Sequence, residues 1–301
     1  MIKSPLRYPG GKSRAIKKIQ EQFTKKVDLS EYREPFVGGG SMFIYIKQIY
    51  PNIDIWINDL NPELYLFWKI AQSELKALVT ELRHIKNYRT DGRELFKELR
   101  KIDVDQISNF ERGVRFFVLN RMTFSGTIES GGYSEKSFQT RFTESSIHRL
   151  EKLGHILPGI RITNLDYREV VNKEGENTFI FLDPPYLTAT KSRLYGKDGD
   201  LHTSFNHQDF AQTMKQCEHK WLITYDDSEE IRNYFQDFNI IPWQLQYGMN
   251  NYKQGKAEKG QEIFIRNYDI KEQSENDNNP KTEQLSLKLN ILSSKTRQEK
   301  Y

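Results

Sequence analysis

Apolar residues fall along this chain in two alternating patterns. Short runs rich in β-branched and aromatic residues predict strands at Arg33–Val37, Ile53–Asn58, Arg161–Leu165, Thr178–Leu182, Trp221–Thr224, Ile241–Tyr247 and Glu262–Asn267. Between several of them the apolar positions recur at helical spacing, over Ser41–Tyr50, Pro62–Ile70, Gln208–Glu218 and Ser228–Phe235. Pro62 and Ser228 stand where helices begin. Strand–helix alternation predicts an α/β fold, a doubly wound and mostly parallel sheet covered on both faces.

The alternation lapses between residues 73 and 157. Helical spacing covers Glu74–Arg89, Glu94–Ile102 and Gln106–Arg121. A polar stretch, Phe124 to Ser146, follows, with Gly131-Gly132 as a hairpin turn. The expected organisation is a body built from 1–72 and 158–268, a mainly helical subdomain inserted at 73–157, and a polar, disordered tail at 269–301.

Composition narrows the picture. The 301 residues are 37% hydrophobic and 29% charged, without an apolar run approaching the ~20 residues of a membrane helix. The N-terminus lacks a signal-peptide core, so the expectation is a cytoplasmic protein with no membrane partner. A single cysteine, Cys217, excludes an internal disulfide and a multi-cysteine metal site, and no metal is expected. Residues 1–50 carry ten Lys/Arg against four Asp/Glu within a net charge of +4. That basic N-terminal region suits a polyanion, though a solvated helix face accounts for it equally well.

Ligands of open parallel sheets bind at the carboxyl ends of the strands. Three expected strands end in a carboxylate there: Asp59 in "WINDLNP", Asp166 in "TNLDY" and Asp183 in "FIFLDPPYL". Asp59 is placed to accept hydrogen bonds from two ribose hydroxyls. In "EPFVGGGSMF", Gly38, Gly39 and Gly40 let backbone approach a ligand closely, and Ser41 is available as a helix cap. Two other chemistries are excluded. "RYPGGKS" has Leu6 where a phosphate loop needs its first glycine. The zinc-deaminase signatures are absent.

The "DPPY" segment carries a specific chemistry. The lone pair of a nucleobase amine is delocalised into the ring. Two acceptors on its two N–H bonds draw it toward tetrahedral geometry and free the pair. The Asp183 carboxylate and the Pro184 carbonyl, stiffened by Pro185, supply both acceptors. Tyr186 offers a face on which the base can stack.

These residues resemble the Dam-like DNA adenine-N6 methyltransferases of the alpha group. "YPGGK" is similar to the family's N-terminal cofactor segment, "EPFVGGGS" to its glycine loop, "NDLNPELYLFW" to its ribose segment and "DPPY" to its catalytic segment. "LNRMTFSG" and "LHTSF" are similar to further family segments. The resemblance spans about residues 5–268 and implies S-adenosylmethionine as cofactor and double-stranded DNA as substrate. It implies that Tyr8 and Lys12 help hold the cofactor, that Phe36, Gly38 and Gly40 line its pocket, and that Asp59 binds its ribose. Asp166 is implied as an acceptor near the cofactor's adenine amine. Asp183, at the cofactor's edge, acts with Pro184, Pro185 and Tyr186 on the target adenine. The implied fold is the Rossmann-like methyltransferase sheet with a target-recognition domain, which agrees with the reading of 73–157 as an insertion; within that insertion Arg121, Phe124 and Arg141 are the candidate DNA contacts. Where GATC-specific members carry a "GxFNVPxG"-like stretch, this chain has "GGYSEKSFQTRF", so the resemblance does not extend to GATC recognition. A cognate restriction endonuclease is a possible partner. Transfer to cytosine N4, RNA or protein, and a DNA-binding regulator with a vestigial cofactor site, are the alternatives.

Overall fold

A computed structural model describes residues 1–8, 10–23, 29–128, 131–187, 205–246 and 259–270. The tail beyond residue 270, Pro9 of "YPGGK" and residues 201–204 of "LHTSF" lie outside the described residues. Residues Met1–Asp269 form one compact unit.

Seven strands form one sheet in the order β3-β2-β1-β4-β5-β7-β6. They are β1 (Glu31–Glu34), β2 (Asp54–Asn58), β3 (Arg161–Thr163), β4 (Thr178–Leu182), β5 (Lys220–Asp226), β6 (Asn239–Gln246) and β7 (Lys259–Arg266). The first five are mutually parallel, while β7 runs antiparallel to both β5 and β6. All five residues of β4 are buried, as a central parallel strand covered on both faces requires. The strand order reverses between β1 and β4, and there a doubly wound sheet opens a crevice.

Strand ends shift from the sequence expectation for local reasons. β1 stops at Glu34 because Pro35 has no N–H to continue the ladder. β5 runs on to Asp226 because the reversed β7 pairs with it from Leu222 to Asp226. Around the sheet lie α1 (Ile16–Glu21), α2 (Ser41–Ile49), α3 (Pro62–Ser73), α9 (Tyr167–Val171), α10 (His207–Gln216) and α11 (Glu229–Tyr234). Phe210, Met214, Ile231 and Phe235 from α10, α11 and the residue after α11 pack onto Ile180 and Ile223 of the sheet.

Between β2 and β3 the chain is helical: α4 (Leu75–Tyr88), α5 (Gly92–Lys101), α6 (Asn109–Met122), α7 (Glu135–Arg141) and α8 (Glu144–Glu151). α6 begins later than periodicity suggests because Ser108 and Glu111 cap it reciprocally. It packs on α3, and buried Glu63 of α3 pairs with Arg112 and, at 3.9 Å, with Arg115. The polar stretch from Phe124 to Ser146 holds α7 and the start of α8, whose first turns are capped by Ser134 and Thr143. Gly131-Gly132 is not a hairpin tip but the returning arm. Thr123 bridges Tyr133, and Gly131 passes so close to Thr127 that a side chain would not fit. No helix among the described residues is long and apolar enough to cross a membrane.

Candidate active site

The sheet's carboxyl rim is more acidic than three aspartates. β1 ends in Glu34, β5 ends in Asp226, and Glu262 of β7 lies directly opposite Asp226. Asp59 and Asp183 follow the last residues of β2 and β4 at once.

The glycine loop joins β1 to α2. Gly38 and Gly40 have φ of +46° and +71°, the left-handed region that glycine enters without strain. A Cβ on Gly38 would stand 2.9 Å from Tyr8 Cδ1, so the Tyr8 ring lies against the loop. The Gly38 N–H donates to Asp59 Oδ2 at 3.0 Å and the Asn61 N–H to Oδ1 at 3.1 Å, which aims the carboxylate at the loop. Ser41 is not the cap of α2, since Gly40 occupies the cap position. Buried Glu34 accepts the Phe43 amide instead, and the Tyr32 hydroxyl at 3.1 Å.

Burial pushes the Asp59 carboxyl up to about 6, against the pull of the two amides. Burial also raises Glu34 well above the carboxylate range, with Asp183 and Asp59 adding to it. The folded chain therefore holds these protons more tightly than the unfolded one. Their contribution to stability is complete below the ordinary carboxylate range and, for Asp59, is lost as pH rises through about 6. Asp59→Asn is expected to raise the melting temperature of the cofactor-free protein above pH ~7 while weakening cofactor binding. Melting curves across pH, paired with a binding titration, check both effects; an unchanged pH dependence would contradict the assignment.

Asp183 sits at the β1/β4 crevice with its side chain 21% exposed. Its Oδ1 accepts the Thr224 hydroxyl at 2.7 Å and the Lys12 ammonium at 2.8 Å. Lys12 is buried, donates also to the Gly10 carbonyl at 2.9 Å, and lies 4.9 Å above the Tyr186 ring centre. The Tyr186 hydroxyl donates to Glu262 Oε2 at 3.1 Å, and the next amide, Leu187 N–H, donates to Asp226. The segment after β4 is thus anchored from β5 and β7 at successive residues.

Two expected cofactor residues carry other contacts. The Phe36 ring meets Tyr167, Phe205 and Phe210 at centre distances of 5.5, 5.9 and 6.1 Å. Asp166 caps α9 through the Arg168 amide and pairs with the Arg168 guanidinium at 3.3 Å.

The helical insertion reaches the site through Asn120. This fully buried amide accepts the Arg7 N–H at 2.9 Å and donates to the Arg7 carbonyl at 2.6 Å, fixing the residue before Tyr8. Of the three expected DNA contacts, Phe124 is 68% exposed and Arg141 is exposed. Arg121 is a correction: it is only 3% exposed, and its Nε donates to the Arg141 carbonyl. The apolar packing of α6 draws it under the surface. Burial lowers its pKa to about 9, with Arg149, Arg7 and Arg141 pressing the same way.

Comparison with known proteins decides what this rim belongs to. The sequence model of the family described as D12 class N6 adenine-specific DNA methyltransferase matches residues 8–249, most of the chain. The chain belongs to this family. Relatives of the methyltransferase include the type II methyltransferase M.MjaIII of Methanocaldococcus jannaschii, 25% identical over 69% of this chain and 75% of that protein. The type II methyltransferase M1.LlaDCHI of Lactococcus lactis subsp. cremoris is 24% identical over 87% and 94%. A DNA adenine methylase of Vibrio cholerae is 22% identical over 86% and 95%. Membership implies DNA as substrate and a methyl donor of the S-adenosylmethionine type.

Four residues of this rim were not expected from the sequence. Glu34 was in plain view inside "EPFVGGGS", and Thr224 and Asp226 close an apolar run as Asp183 does. Glu262 had no local signal, because only strand pairing brings it to the rim.

Proposed function

We propose that this chain transfers the methyl group of S-adenosylmethionine to N6 of an adenine extruded from double-stranded DNA. The observation that supports it most is Asp183 at the switch point, held by Thr224 and Lys12 beside Tyr186. The residues present fit the cofactor: a glycine cradle against which Tyr8 packs, and an acid aimed at it from β2. Tyr8, Phe36, Gly38 and Gly40 would line its pocket. Asp59 would take its ribose hydroxyls and Asp166 its adenine amine, and Lys12 would hold the junction between cofactor and Asp183.

When bound, the cofactor supplies an electrophilic methyl on sulfur. The Asp183 carboxylate and Pro184 carbonyl each accept one N–H of the target amine, leaving its lone pair toward that methyl. The methyl would pass from sulfur to N6, the sulfur keeping the electron pair of the broken bond, and the methylated nitrogen would release one proton to water. Aspartate is a weak base, so the main part of Asp183 is orientation and charge stabilisation. Extrusion of the base costs a few kcal/mol, offset by stacking on Tyr186 and these hydrogen bonds.

Residues 73–157 serve as the target-recognition subdomain in this reading, with Phe124 and Arg141 on the DNA. Arg121 lies beneath them, and a DNA phosphate would relieve the repulsion among the guanidiniums of Arg7, Arg121, Arg141 and Arg149. The relatives named type II methyltransferases support a place in a restriction–modification pair with a cognate endonuclease.

The test is to express the chain in cells lacking adenine methylation and map modified bases by sequencing. N6-methyladenine within one recurring sequence is the expected result. Methylated cytosine, or unmodified DNA with folded protein present, would overturn the proposal. Phe124→Ala is expected to lower DNA-dependent activity while leaving cofactor affinity unchanged.

A further inference from the structure

Glu262 belongs to none of the segments that mark the family resemblance, and it is 1% exposed in the middle of a sheet. A carboxylate buried there costs several kcal/mol unless its surroundings compensate it. Its strand runs against the parallel set, which delivers the side chain to the rim from the opposite direction. Across the ladder it faces Asp226 of β5 and Trp243 of β6. Among the described residues, the charged and titratable groups around it are Lys12 from the N-terminal segment, Asp183 and Tyr186 from the segment after β4, and Asp226.

Among its contacts is the Tyr186 hydroxyl, 3.1 Å from Oε2. The Tyr186 ring is tilted against Tyr225 at 5.8 Å between centres and has Lys12 over one face. Tyr225 and Lys12 locate the ring, but neither fixes its far end. The hydroxyl does, through its bond to Glu262 beside a contact with Thr224. Since Pro184 and Pro185 already restrict the backbone, that bond removes the remaining freedom of the surface on which a base would stack.

We propose that Glu262 is a positioning residue for the target base, holding the Tyr186 ring in the plane that presents adenine N6 to Asp183. The proposal rests on the methyl-transfer reading above. A charged carboxylate accepts a hydroxyl hydrogen bond about twice as strongly as a neutral acceptor does. The carboxyl of Glu262 is raised to about 7, first by burial and then by Asp183 and Asp226, against Lys12 and the Tyr186 bond. It therefore gains its charge as pH rises through the neutral range, and the grip on Tyr186 tightens with it.

The experiment compares wild type, Glu262→Gln, Tyr186→Phe and the double variant on unmethylated plasmid DNA with radiolabelled S-adenosylmethionine. It measures kcat, the KM for each substrate and the pH profile. Wild-type kcat is expected to rise between about pH 6 and pH 8. Glu262→Gln is expected to lower kcat ~10-fold at pH ~8 and flatten that rise, with the KM for cofactor within about twofold. Tyr186→Phe, which also gives up the Thr224 contact, should show both effects at least as strongly, and the double variant should be no worse than Tyr186→Phe, because the Glu262 bond is already absent there. Additive losses, or a Glu262→Gln enzyme with the wild-type pH profile, would overturn the proposal. If Glu262→Gln does not fold, Tyr186→Phe decides alone: an undiminished pH rise in that variant sinks the proposal. A wild-type enzyme that leaves adenine unmethylated sinks the proposed function, whereas a methylating wild type with an unaffected variant sinks only the role of Glu262.

Discussion

Asp183→Ala is expected to lower methyl transfer by at least ~10³-fold while cofactor binding partly survives. The carboxylate is the acceptor that the chain cannot replace from nearby. The Lys12 ammonium has no lone pair with which to accept the target amine, and the uncharged Thr224 hydroxyl is a weaker acceptor than the carboxylate it now donates to. Removing it also leaves the Lys12 ammonium buried without its nearest counter-charge. The glycine loop and Asp59 are untouched, because Asp59 takes its alignment from Gly38 and Asn61. Single-turnover methylation and a cofactor titration on the same preparation separate the two effects. Asp183→Asn keeps one acceptor oxygen and should fall between wild type and alanine. Full activity in the alanine variant would refute the role given to Asp183.

The second large effect concerns stability and comes from a side chain of β1. Arg33 is 1% exposed, and its guanidinium is surrounded by acceptors. It donates to the Val170 carbonyl at 2.9 Å, the Glu174 carbonyl at 2.8 Å and the Lys173 carbonyl, and its Nε donates to Glu31 at 2.9 Å. It also lies 5.3 Å from the centre of the Trp56 ring. This one side chain pins the α9–β4 connection to β1. Arg33→Ala would leave those carbonyls and the Glu31 carboxylate without their donor, at a cost of roughly 3–5 kcal/mol. For a chain of this size that lowers the melting temperature on the order of 10 °C. Arg33→Lys keeps the charge but not the planar fork, and should recover only part of the loss. Urea unfolding of the three proteins measures the differences. A loss below ~1 kcal/mol in the alanine variant would show that the network contributes little.

The body of the fold was legible because its signals are local. β2, β4 and β5 are apolar runs bounded by polar residues, and helices such as α3 announce themselves with Asn61 and Pro62, whereas β1 and β3 are short and mostly charged or polar. Pro35 could have placed the end of β1 correctly. The helices α7 and α8 escaped because their surroundings are polar and only Ser134, Thr143 and Ser146 mark their starts. The five-residue α9 is too short to show a period.

Within the site, Asp59 and Asp183 were found because an acid directly after an apolar strand is conspicuous in one dimension. Glu262 and the Asn120–Arg7 clamp depend on contacts between distant segments, which periodicity does not report. Arg121 was misplaced for a related reason. An arginine in a helix is by default a surface residue, and only the packing of α6 shows that this one is not.

The clamp at Asn120 has an evolutionary corollary. Because a single amide grips both sides of the Arg7 peptide backbone, the seam between the two halves of the protein tolerates little drift. If residues 73–157 read DNA as proposed, new sequence preferences would arise on the outer face around Phe124 and Arg141, where side chains can be exchanged without loosening the arm that carries Tyr8. The enzyme can change what it reads without rebuilding how it reacts.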